Sequence, residues 1–144
     1  MKKIIVTLFI IFNLIIPTII VSSSQNNKVS WNDNWSYKKE ISIPIDTSKD
    51  DAKYQPIDIK IYFDEDCWAE NEKENSIRVV CLQSNQWIEI ESQIYDLKKV
   101  SNEYISECNI VFLIPSFSDG TEKYFIYYDN EKKIASDYKD HVKV

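Results

Sequence analysis

The chain has 144 residues, of which 44% are hydrophobic and 28% charged, and its formal net charge is −6. These values are typical of one globular domain and argue against a disordered chain. An excess of negative charge repels a phosphate backbone, so we do not expect nucleic-acid binding. The single glycine, Gly120, excludes the P-loop and dinucleotide-binding fingerprints, which need several glycines near phosphate groups. We therefore expect no cofactor.

The first 24 residues have the organisation of an export signal. Two lysines precede an apolar run at 4–21, and three serines follow it. This predicts a hydrophobic signal helix that is removed, and an extracytoplasmic location, either secreted or at the cell surface. The alternative is an uncleaved membrane anchor through residues 4–21, because these 18 residues approach the length that spans a bilayer. Removal leaves a net charge of −8, since the segment contains two lysines and no acid.

A polar spacer at 25–34 precedes the first alternating segments. The first predicted strand runs from Trp35 to Ile45, with Pro44 marking it as an edge strand because proline cannot donate to a ladder. The second predicted strand is the clearest in the chain, with Asp58 and Lys60 facing outward. The expected inward residues of the two strands are Tyr37, Ile41, Ile43, Ile45, Ile57, Ile59, Ile61 and Phe63.

The rest of the chain continues this pattern. An acidic loop is predicted at 64–76, then a strand at 76–82 and one longer strand at 87–97 with Ile88, Ile90 and Ile94 inward. Apolar segments at 108–115 and 122–129 predict central strands, joined by a turn at Asp119 and Gly120. The predicted fold is an all-β, antiparallel, jelly-roll-like β-sandwich of about six to eight strands at 35–130. Residues 131–144 form a polar tail, or the start of a missing downstream region.

The sharpest candidate site lies on the predicted strand at 87–97. An aromatic ring beside carboxylate and amide groups suits a sugar, which offers an apolar face and hydroxyl groups. The alternatives are a solvated sheet face or a face covered by a neighbouring strand or domain. Two carboxylates on one flat face do not form a glycosidase cleft, so we expect no catalytic pair. The predicted ligand-binding residues are Trp87, Glu89, Glu91, Gln93 and Tyr95.

Three neighbouring acids, Asp64, Glu65 and Asp66, are weak candidates for calcium binding, because hard cations take clustered carboxylates. The twelve-residue calcium loop with its central glycine is absent, so an exposed acidic turn is the default interpretation. The only histidine, His141, lies in the tail, and no nucleophile-elbow sequence is present. We therefore expect neither a metal site nor nucleophilic catalysis.

The chain contains three cysteines, and an extracytoplasmic location favours one disulfide with one thiol left over. We predict a disulfide between Cys67 and Cys108, which would hold the predicted acidic loop against a central strand. Cys81 lies in the middle of a strand and is interpreted as a small buried hydrophobe. The alternatives are a disulfide between Cys81 and Cys108, or three reduced thiols.

The order of the segments resembles that of the domain of unknown function 2341 family. Modules of this family open with Trp-x-Tyr-Arg/Lys and close on an aromatic strand that ends Tyr-Tyr-Gly-Asn. Here Trp35, Tyr37, Lys38, Tyr127, Tyr128 and Asn130 match those ends, and Asp129 stands where the glycine would be. The resemblance covers residues 35–130 and implies an exported β-sandwich module of archaeal or bacterial surface proteins, with no catalytic residues to carry over.

These observations favour a non-catalytic, exported module that binds a glycan or another component of the cell envelope. A structural spacer or envelope domain of a larger surface protein is the first alternative. An N-terminal fragment of a polysaccharide-acting enzyme is the second. A membrane contact is expected only through residues 4–21 if they are retained, and no pattern indicates an oligomeric state.

Overall fold

The computed structural model describes residues 30–139, which form seven β-strands and one short 3₁₀ turn at Asp50–Ala52. The predicted all-β class is confirmed, while the predicted N-terminal signal helix or anchor lies outside the described residues. The strands are β1 (Tyr37–Ile41), β2 (Pro56–Trp68), β3 (Ile77–Gln83), β4 (Gln86–Ile90), β5 (Ser92–Lys99), β6 (Tyr104–Leu113) and β7 (Lys123–Tyr128). Across residues 30–139, no helix has the length and apolar character needed to cross a bilayer.

The strands form two antiparallel sheets. The four-stranded sheet has the order β1-β7-β3-β4, and the three-stranded sheet has the order β2-β6-β5. The predicted edge position of β1 is confirmed, and so are the interior positions of β6 and β7. The first strand ends at Ile41 and not at Ile45, whose side chain is 40% exposed. The pairing ends where the partner strand does, since β7 begins at Lys123, and Pro44 beyond it has no backbone N–H to donate to a ladder.

One hydrophobic core lies between the sheets and receives side chains from both. Ile77 and Val79 enter it from the four-stranded sheet, while Ile57 and Ile61 enter it from the three-stranded sheet. The outward residue Asp58 is exposed, as the alternation predicts. In β2 the period of two therefore reports correctly which side of the strand is buried.

The predicted strand at 87–97 is wrong in one respect, because it consists of two strands in different sheets. β4 belongs to the four-stranded sheet and β5 to the three-stranded sheet, with Glu91 between them. Chains that pass from one sheet to another in a two-sheet fold do so at such corners. Ile90 and Ile94 both reach the shared core, so the alternation continues through the corner and conceals it.

The predicted acidic loop at 64–76 is also corrected. β2 continues through this acidic segment to Trp68, with a register irregularity between Tyr62 and Cys67 where it pairs with β6. A bulge of this kind lets a strand carry consecutive polar residues while its ends stay paired. The loop is therefore confined to the residues between Trp68 and Ile77.

A second, smaller cluster lies on the outer face of the four-stranded sheet. Val80, Phe125 and Tyr127 are buried there beneath tryptophan side chains. Trp31 packs on Trp35 at 5.7 Å and on Tyr127 at 5.3 Å between ring centroids. β7 is thus buried on both faces, as its continuous apolar sequence predicts.

Candidate functional site

The five predicted ligand-binding residues do not share one face. Trp87 and Glu89 lie on β4, whereas Gln93 and Tyr95 lie on β5 in the other sheet, with Glu91 at the corner. The prediction of a single outward stripe is therefore wrong. The structure divides the residues into two groups with different surroundings.

Trp87 belongs to the aromatic cluster on the four-stranded sheet. Its ring lies 5.3 Å from that of Phe125 and 6.1 Å from that of Tyr127, centroid to centroid. The indole N–H is buried and has no hydrogen-bond partner within residues 30–139. Trp87 consequently covers part of the sheet, and its ring is only partly exposed.

Glu89 is engaged with the tail that follows β7. It lies 3.5 Å from Nε of Arg78, and its Oε1 accepts a hydrogen bond from the hydroxyl of Tyr138. Burial raises the pKa of Tyr138 above its ordinary range, and the hydrogen bond to Glu89 raises it further. The Tyr138 hydroxyl therefore stays protonated and keeps donating to Glu89.

Gln93 and Tyr95 line an open cleft of about 720 Å³ beside β5. All of residues 92–96 border it, together with Asp58 and Val111 on the outer face of the three-stranded sheet. Its lining also includes Ile77 of β3, the loop residues Glu72, Lys73 and Asn75, and the tail residues Ser136, Tyr138 and Lys139. The cleft therefore combines two tyrosine rings with many hydrogen-bonding groups.

The register of the strands brings the Tyr95 hydroxyl at this cleft close to Asp58 and Asn109. Tyr95 is opposite Asn109 on β6, and Asp58 lies on the next strand, β2. The Tyr95 hydroxyl donates to Oδ2 of Asp58 at 2.6 Å and accepts from Nδ2 of Asn109 at 3.0 Å. The bond to Asp58 raises the pKa of Tyr95, while the bond from Asn109 opposes that shift. These contacts fix the ring of Tyr95 before any ligand arrives.

The tail that contributes to the cleft is attached to the four-stranded sheet by hydrogen bonds from side chains to its backbone carbonyl oxygens. Nη2 of Arg78 donates to the carbonyl oxygen of Ile134 at 2.6 Å, and Oγ of Ser76 donates to that of Glu131 at 2.7 Å. Residues 131–139 contain no strand. The sequence pattern did not indicate Tyr138, whose one signal is that it is a lone aromatic residue within a polar tail.

The calcium candidates Asp64, Glu65 and Asp66 are not brought together. They are consecutive on β2, and Asp64 forms an ion pair with Lys39 at 3.0 Å. Alternation along a strand turns Glu65 to the face opposite that of Asp64 and Asp66, so the three carboxylates do not converge. Within residues 30–139, no group of three or more histidine, cysteine or acidic side chains is arranged to hold a metal ion.

All three cysteines are buried and free, so the predicted disulfide between Cys67 and Cys108 is absent. Cys67 is opposite Ile105 and Cys108 is opposite Ile61, and this strand pairing already holds the acidic segment that the disulfide was expected to secure. Burial raises the pKa of Cys81 and of Cys108 to about 12, and it raises that of Cys67 further. We expect thiols in such surroundings to be unreactive. Cys81 has no exposed surface, which confirms its interpretation as a small buried hydrophobe.

No protein-family model matches the chain, and neither the curated proteins nor the solved structures contain a match. The two landmark ends of the sequence are nevertheless neighbours in the fold. Tyr37 pairs with Tyr128 in the β1–β7 ladder, and their rings stack at 5.2 Å. Because no family model matches, the likeness to the domain of unknown function 2341 family depends on the sequence motifs alone.

Proposed function

We propose that the chain is a non-catalytic, exported module of the jelly-roll-like β-sandwich type, and that it binds a glycan in the cleft beside β5. The observation that supports this most directly is the fixed contact of Tyr95 with Asp58 and Asn109 at the cleft wall. A sugar ring stacks on a tyrosine face, while its hydroxyls exchange hydrogen bonds with carboxylate and amide groups. The site thus uses two of the five residues that the sequence indicates, Gln93 and Tyr95.

Binding without catalysis is the better account of the carboxylates. A glycosidase needs two of them across a cleft, one with a raised pKa. Asp58 at the cleft wall instead accepts a short hydrogen bond from Tyr95, which occupies one of its oxygens. This contact supports a role in holding a ligand.

The exported location and the membership of a surface-protein family are part of the same proposal. They depend on the apolar run at 4–21 and on the landmark aromatics at the two ends of the domain. A spacer or envelope domain, and a fragment of a polysaccharide-acting enzyme, are the competing functions. Only glycan binding in the cleft requires that a change at Tyr95 alter affinity.

The test is calorimetric binding of the full chain, purified in a mild detergent, to cello-, xylo-, manno- and chito-oligosaccharides. Tyr95→Ala should weaken binding about tenfold, which corresponds to about 1.4 kcal/mol. Tyr95→Phe should lose less, because it keeps the ring and removes only the hydroxyl. Tyr62→Ala is the matched control, since Tyr62 is an exposed tyrosine on β2 outside the cleft. Absence of binding to all four series, or equal affinity of Tyr95→Ala and the unaltered chain, would overturn the proposal.

A further inference from the structure

The outer face of the three-stranded sheet continues beyond the cleft. Asp58 and Gln93 are both opposite Val111, so these three residues form one row across the sheet. The next outward pair along β2 and β6 is Pro56 and Leu113. The ladder then continues through the hydrogen bond from the backbone N–H of Ile114 to the carbonyl oxygen of Gln55, 3.0 Å long. The cleft therefore opens onto a surface that follows the strands.

That continuation is apolar and exposed. Leu113 is 50% exposed, and Tyr54, just before β2, is 66% exposed. Tyr54 has a φ of 61°, a left-handed conformation that is strained for a bulky residue. Its N–H donates to the carbonyl oxygen of Ile114 at 2.8 Å, which holds the strained residue in place. Together with the bond from Ile114 to Gln55, this bond forms a bulge just before β2, which accounts for the conformation of Tyr54 and leaves its ring exposed.

In the opposite direction along the strands, toward Tyr62, the same face is charged. Tyr62 is 58% exposed, but the ammonium group of Lys60 lies 6.0 Å from the centre of its ring. Lys60 and Lys98 both form ion pairs with Glu107, at 3.2 and 3.7 Å. A ligand that covered this region would have to displace the water around three charged groups. The surface is thus favourable toward Tyr54 and unfavourable toward Tyr62.

We infer that the cleft is one end of a longer binding surface that reaches Leu113 and Tyr54, and that its ligand is an uncharged polysaccharide. This inference rests on the proposed function. The four-residue rise along β6 from the level of Tyr95 to Leu113 is about 14 Å, which is longer than one sugar ring. Carboxylates and ammonium groups both border the cleft, so its lining favours neither sign of charge in a ligand. The negative net charge of the whole chain repels a polyanion.

The experiment compares chain lengths, from disaccharide to octasaccharide, within whichever of the four neutral series binds the full chain. Affinity should rise with length and level off once the ligand spans the surface. Tyr54→Asn should weaken binding of the long oligosaccharides about fivefold and leave that of the disaccharide unchanged. Asparagine is chosen because it tolerates the left-handed conformation, so the backbone is preserved. Tyr62→Ala is again the matched control and should change neither.

The outcomes separate this inference from the proposed function. If no series binds, both fail. If disaccharide and octasaccharide bind equally and Tyr95→Ala weakens both, the cleft binds a glycan and the longer surface is wrong. If Tyr62→Ala reduces the affinity for long ligands and Tyr54→Asn does not, the inferred direction is overturned. A thermal melt of each variant verifies folding, and Leu113→Ser serves as the second probe of the same end if Tyr54→Asn is unstable.

Discussion

A buried carboxylate after β7 holds together segments that are distant in the sequence. Asp129 has no exposed surface. Its Oδ2 accepts from the backbone N–H of Ser36 at 2.9 Å, its Oδ1 accepts from that of Glu131 at 3.0 Å, and Nζ of Lys133 lies 3.0 Å from Oδ2. The same residue therefore connects the segment before β1 to the start of the tail.

Asp129→Ala removes the acceptor from two amide groups and from one ammonium group. A hydrogen bond to a charged group contributes about 1.5–3 kcal/mol, and water will replace part of what is lost. We expect the free energy of unfolding to fall by about 3 kcal/mol. For a domain of this size that lowers Tm by about 12 °C. Urea denaturation followed by tryptophan fluorescence, together with a thermal melt, measures both quantities.

The effect should depend on pH in a defined direction. Burial raises the pKa of Asp129, but the hydrogen bonds from Glu131, Lys133 and Ser36 outweigh it and leave the pKa below 3.8. A carboxyl whose folded pKa lies below its unfolded value stabilises the protein fully above the unfolded pKa and loses that contribution as the pH falls through the folded pKa. The stability difference between the unaltered chain and Asp129→Asn should therefore shrink below about pH 4. A loss under about 0.5 kcal/mol for Asp129→Ala, or a pH-independent difference for Asp129→Asn, would refute this account.

Three further predictions concern the remaining features. Tyr138→Phe should speed tryptic cleavage within the tail several-fold, because the hydrogen bond to Glu89 is lost. The free energy of unfolding should fall by only about 1 kcal/mol. Unchanged cleavage would contradict that contact. The three thiols should not react with a thiol reagent at pH 8 in the folded chain, since burial raises the pKa of Cys81, for example, to about 12. All three should react in denaturant. Rapid labelling in the folded state would show that the thiols are accessible. Trp87→Ala should reduce the free energy of unfolding by about 2 kcal/mol through loss of packing on Phe125. The affinity for glycan should not change. A selective loss of affinity would show that Trp87 contacts the ligand.

The sequence by itself determined the all-β class and, for a strand such as β2, which of its faces is buried. Alternation between Ile57 and Ile61 records burial on one face and exposure on the other, which is a local property of each strand. The turn before β7 was likewise predictable, because Gly120 adopts a φ of 88° that side chains avoid, and Asp119 accepts bonds from Thr121.

Only the tertiary structure decided which sheet each strand joins. Ile90 and Ile94 reach the same core from different sheets, so the period of two is identical on both sides of Glu91 and does not reveal the corner. The same corner separates Trp87 from Tyr95 and places Tyr95 beside Asp58 and a tail tyrosine instead. The hydrogen bond between Tyr95 and Asp58 joins residues that are 37 positions apart in the chain, and no local pattern specifies such a pairing.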